Sequence, residues 1–73
     1  MRGKRIFTEK EAAEIRVLIK QKQHEPDKQK AIRDKIRRRG FYYNDFRPNR
    51  NDGGYTVEDF NELIDTGEIQ IVD

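Results

Sequence analysis

Apolar residues recur along this chain at two periods, and the period marks each element. After Thr8, the residues Ala12, Ile15, Leu18 and Ile19 fall three and four positions apart, while Glu9, Lys10, Glu14, Arg16 and Lys20 mostly take the other side. That is the pattern of an amphipathic helix. Thr8 followed by Glu11 is a capping-box pair, in which each side chain satisfies a backbone N–H at the helix start, so the spacing predicts a helix over 9–22. Phe7 stands just ahead of the cap, where it can staple the first turn; Ile6 and Phe7 read equally as a short strand. The polar stretch from Lys22 to Asp27 contains Pro26, which disfavours helix at Glu25 but readily opens a new one. A turn at Gln23 to Glu25 and a second helix over 27–39 follow. Gly40 then offers a left-handed stop, and Arg37, Arg38 and Arg39 complement the negative end of the helix dipole.

On a helical wheel Ile32 and Ile36 point one way, and Lys30, Arg33 and Arg37 cluster on another face. Lys28, Lys35 and Arg39 lie nearer the apolar edge, where their stems can cover the core while their charges reach solvent. Two strong apolar side chains anchor this helix, so it must borrow packing from Phe41, Tyr42, Tyr43 and Phe46. A turn-forming set follows: Pro48, Asn49, Asn51, Asp52, Gly53 and Gly54. Thr56 with Asp59 repeats the capping pattern ahead of Val57, Phe60, Leu63 and Ile64, which predicts a third helix over 57–65 with Gly67 as its stop. From Glu68 to Val72 the alternation becomes that of a half-buried strand over 68–72. A lone strand needs a partner. Ile6-Phe7 is the expected one and Phe41 to Tyr43 the alternative. The fold class is therefore α+β, mainly α: one small three-helix domain over 1–73 with a short two-stranded ribbon joining the chain ends.

Length and composition narrow this picture. A chain of 73 residues buries only about 60% of the surface its unfolded form exposes, so the core must be small. With no Cys there is no disulfide framework, zinc-finger ligand set or thiol nucleophile. The longest apolar run, Val17 to Ile19, falls far below the roughly 20 residues that span a bilayer, and the charged start lacks a signal-peptide apolar region. A soluble cytoplasmic protein is expected. The charged fraction of 41% against 33% hydrophobic raises the question of disorder. Regular apolar spacing with matched start and stop signals argues for folding instead.

Charge adds the candidate function. Between Lys28 and Arg50 stand nine basic residues (Lys28, Lys30, Arg33, Lys35, Arg37, Arg38, Arg39, Arg47 and Arg50) against Asp34 and Asp45. From Asn51 to Asp73 there is no Lys or Arg, but Asp52, Glu58, Asp59, Glu62, Asp65, Glu68 and Asp73. A net charge of +2 thus conceals two opposed poles, and the basic one calls for a polyanionic partner.

Two helices separated by a short polar turn, the second of them basic, give residues Thr8 to Gly40 a layout that resembles helix-turn-helix DNA-binding domains. The resemblance implies docking through the second helix, because the third, often the reader in that layout, is acidic here and repels phosphate. The expected function is that of a non-enzymatic nucleic-acid-binding accessory or regulatory domain, with DNA preferred over RNA. Lys30, Arg33 and Arg37 are the first candidates for phosphate contact, and Arg38, Arg39, Arg47 and Arg50 extend the patch. Arg33 and Arg37 can also reach guanine edges from a major groove. Tyr42 and Tyr43 are candidates for base stacking beside Arg47, whereas Phe41 and Phe46 read as core. Gln29 and Asn44 are candidate edge readers.

The competing reading is a solvated basic helix face, stabilised by pairs such as Lys30 with Asp34. Opposed poles also suit a protein–protein interaction or self-association module, including a homodimer. Catalysis, cofactors, metals, a membrane and a small-molecule substrate are not expected. His24 sits in a polar stretch without a nucleophile pattern, and Asp45, Asp52, Glu58 and Asp59 match no calcium-loop spacing. The Tyr42-Tyr43 pair lacks an activating constellation. Gly53-Gly54 lacks the lysine and the Ser or Thr of a phosphate loop.

Overall fold

Thr8 ends one element and caps the next. The computed structural model describes residues 2–49 and 54–73. In it, strand β1 (Ile6–Thr8) runs directly into helix α1 (Glu9–His24). The capping box is closed: Glu11 N donates to Thr8 Oγ1 at 3.1 Å, and Thr8 N donates to Glu11 Oε1 at 2.9 Å. Helix α1 continues past the expected 22 to His24, because only Pro26 forces Glu25 out of helical geometry. Lys22, expected in a polar segment, instead joins Ala12, Ile15 and Ile19 on the buried stripe at 1% exposure. Its stem packs in the core and its Nζ lies 3.5 Å from the centroid of the Tyr55 ring, a cation over a π face.

Pro26–Lys28 forms a single 3-10 turn, and helix α2 (Gln29–Arg38) follows, two residues later at its start and one earlier at its end than the spacing predicts. Gly40 adopts φ 95°, the left-handed stop that glycine permits. Helix α3 (Val57–Asp65) matches its expected bounds and carries the second capping box, with Thr56 N donating to Asp59 Oδ2 at 2.9 Å. Strand β2 (Gln70–Val72) starts two residues later than 68, since Glu68 is drawn to Arg47 and Thr66. The ribbon forms between the expected partners and is parallel, pairing Ile6 with Gln70, Phe7 with Ile71 and Thr8 with Val72. Parallel pairing is feasible because the whole helical body serves as the crossover. Phe41 to Tyr43, the alternative partner, contributes rings to the core and no strand among the described residues.

Helices α2 and α3 each pack on α1, and the space around them is filled from the loop between them. Phe41 stands at the centre. Its ring centroid lies 5.0 Å from Phe60, 5.7 Å from Tyr55, 6.2 Å from Phe46, 6.3 Å from Phe7 and 6.4 Å from Tyr43. Three of these contacts are edge-on, and aromatic pairs contribute about 0.5–1.5 kcal/mol each beyond their burial. Phe46 is only partly buried, at the margin of the same cluster. Tyr55, which the apolar periodicity does not single out, is a full core member at 2% exposure.

Phe41→Ala is expected to remove about 3–5 kcal/mol of unfolding free energy, read as a large drop in urea midpoint. Gly67→Ala serves as contrast. Gly67 has φ 82°, and a Cβ there would meet nothing within 4 Å, so the loss should be only the left-handed backbone penalty of about 1–2 kcal/mol.

Candidate nucleic-acid interface

Helical geometry decides which cations of α2 face outward. Ile32 and Ile36 are buried, which turns Lys30 and Arg38 to the exposed side, with Arg33 and Arg37 half-buried between the two environments. Both of the latter lie outside the hydrophobic core but have their Nε atoms enclosed. Gln29 is half-buried at the start of the helix, and Asn44 is exposed beyond its end.

Tyr42 and Tyr43 part company. Tyr42 has extended backbone geometry, φ −124° and ψ 101°, and extended backbone sends successive side chains to opposite sides. Phe41 and Tyr43 therefore turn inward together while Tyr42 stays half-buried at the surface. Tyr43 is 2% exposed and stacks on Tyr55 at 4.6 Å between centroids and 15° between planes. Its expected role as an exposed stacking ring is corrected to a core role. Tyr42 keeps the surface role, with the Arg37 guanidinium 5.7 Å from its ring centroid.

Two further candidates are held by carboxylates. Arg39 Nε donates to Glu14 Oε2 at 2.8 Å, tying the end of α2 to α1. Arg47 grips Glu68 in a two-pronged pair, Nη1 to Oε1 at 2.9 Å and Nη2 to Oε2 at 3.0 Å, and Nη1 also donates to the Phe46 carbonyl at 2.9 Å. Such a fork is the strongest geometry available to an ion pair. Both arginines thus brace the fold, a duty that a count of positive charges does not reveal. Arg50 lies outside the described residues. The Arg47 hydrogen bonds hold the Glu68 carboxyl below the usual glutamate range, helped by the Thr66 hydroxyl, and the same bonds raise Arg47.

The N-terminal strap completes the surface. Arg2 N donates to both Asp45 oxygens at 3.1 Å, Gly3 N to Oδ2 at 2.8 Å, and Lys4 N to the Gly40 carbonyl at 2.8 Å. Gly3 is pressed so closely against the Gly40 carbonyl and the Tyr42 ring that a Cβ would collide with both. This lacing sets Arg2 beside Arg37 and Tyr42. The three residues, with Asn44 and Asp45, line a cleft of about 220 Å³. Neither Arg2 nor the anchoring role of Asp45 was legible in the sequence, since the contacts bridge 43 and 42 positions and carry no local signal.

Asp45 is thus engaged by backbone N–H groups and Asp59 by its helix cap, while Asp52 lies outside the described residues. Among the described residues no three metal-ligating side chains come together. His24 is exposed. No described helix is long and apolar enough to cross a membrane. Comparison with family models, curated proteins and solved structures finds no match to this chain.

The Arg47 to Glu68 pair has a pH signature. Because folding lowers the Glu68 pKa, the stability it contributes is complete above the free glutamate value of about 4.3 and fades as pH falls through the lower folded value. Glu68→Gln should therefore melt below the parent at neutral pH, with the gap narrowing as pH falls below the free glutamate range. Melting temperature against pH for the two proteins checks this. The lowered carboxyls of Glu11 and Glu25 are common to both and drop out of the difference.

Proposed function

We propose that this chain binds nucleic acid, DNA in preference to RNA, through the outer face of α2, as an accessory or regulatory domain with no reaction of its own. The observation that carries the reading is the run of exposed Lys30 and Arg38 with half-buried Arg33 and Arg37 along one side of α2, ending on the Arg37–Tyr42 pair. Cations beside an aromatic ring suit phosphates next to bases. The preference for DNA rests on shape. A helix enters the major groove of B-form DNA, whereas the deep, narrow major groove of A-form RNA excludes it. The order of α1, short turn and α2 supports α2 as the docking element, and the acids Glu58, Asp59, Glu62 and Asp65 on α3 disfavour that helix. Arg39 and Arg47, each held by a carboxylate, are secondary contributors.

Fluorescence anisotropy with random-sequence DNA and RNA duplexes across a salt series tests this. The logarithm of affinity should fall with that of salt by about 0.9 per phosphate contacted. Replacing exposed Lys30 and Arg38 together by Gln should leave the melting temperature nearly unchanged and make the salt slope shallower by roughly 2. Binding equal to the parent would rule out this face.

One observation favours a protein contact as the second reading. Val17 is 64% exposed and, with Ala13 and Leu18, lines a shallow apolar groove flanked by Glu14 and Arg39. Light scattering on the concentrated protein distinguishes a self-associating species from a monomer.

A further inference from the structure

The cleft at the C-terminal end of α2 has a composition unlike the helix face beside it. Its volume of about 220 Å³ lies below the roughly 300–1,000 Å³ of pockets for drug-sized ligands and suits a single planar ring system. One wall is the Tyr42 ring, with the Arg37 guanidinium set against it at 5.7 Å. The opposite chemistry is also present: the Asp45 carboxylate lines the cleft, fixed by the N–H groups of Arg2 and Gly3. A bare phosphate seated against it would be repelled by that negative charge. A neutral base would not, and the exposed Asn44 amide offers its edge both donors and an acceptor. Arg2 and Arg37 then serve the phosphates on either side of the base.

Bases inside a duplex keep their faces stacked and a terminal pair is too wide for a cleft of this size, so an unpaired base is the one that can enter against Tyr42. Arg37 belongs both to the basic face of α2 and to the cleft, which puts the two surfaces in direct succession. The geometry points to a site for one unpaired base, so that the protein recognises the junction between duplex and single strand; this rests on the reading that α2 binds nucleic acid. The cleft is arranged in advance, because the strap that carries Arg2 is laced to Asp45 and Gly40, with Gly3 against the Tyr42 ring. Little ordering remains for the protein to undergo on binding.

The test compares one blunt DNA duplex with the same duplex carrying a short single-stranded tail, by anisotropy at fixed salt. The tail should tighten binding by about ten-fold, within the range one stacked base supplies. Tyr42→Ala should bring tailed-duplex affinity down to that of the blunt duplex measured with the same variant, while Tyr42→Phe should retain the gain. Since Tyr42 also supports Gly3, Asn44→Ala at an exposed position is the second probe and should lose part of the gain without lowering the melting temperature. Equal affinity for the two ligands, or a gain that survives both Tyr42→Ala and Asn44→Ala, overturns the junction site and leaves the α2 reading standing. Absence of binding to either ligand overturns both.

Discussion

The burial of Phe41 is the constraint on which the molecule depends. Its ring touches aromatic partners from β1, from the loop after α2 and from α3, so a single side chain joins elements that have few large residues of their own. Helix α2 offers only Ile32 and Ile36 to the core. Without an aromatic cluster at its end, so basic a helix would bury too little apolar area to offset the entropy of ordering it. Gly40 makes the junction, since its left-handed geometry turns the chain sharply enough to drop Phe41 under the helix it has just left.

That arrangement also dictates the surface. Once Phe41 is inward and the backbone is extended, Tyr43 must be inward and Tyr42 outward. Tyr42 then lies over the last turn of α2, against Arg37, and the N-terminal strap closes over it through Gly3. The candidate cleft is a by-product of core packing, which is why its walls are held firmly. Packing likewise divides the cations into classes. Lys22 is drawn into the core over Tyr55, Arg39 and Arg47 brace neighbouring segments through Glu14 and Glu68, and Lys30 and Arg38 are left exposed.

Opposed charge along the chain therefore has two uses here. Part of it is spent inside the fold, where the Arg47 fork brings the basic loop against a carboxylate of the acidic third. On α2, Lys30 and Arg38 face outward. A count of charges overstates the basic surface at Arg39 and Arg47 and understates it at Arg2, which arrives from the other end of the chain.

What the residues determined by themselves was local. Both capping boxes, the three helices and the glycine stops at Gly40 and Gly67 follow from short-range spacing, because caps, helical periodicity and left-handed turns involve neighbours within about four positions. Even the pairing of the chain ends was legible, since Ile6-Phe7 was the evident partner for a strand that needed one. Only the tertiary structure decided which tyrosine is core, which arginines are braced, why Lys22 is buried, and that Arg2 and Asp45 meet beside Tyr42. Those outcomes depend on contacts between residues far apart in the chain, such as the 43 positions from Arg2 to Asp45, and a side chain's distant neighbours leave no periodic trace in its local sequence.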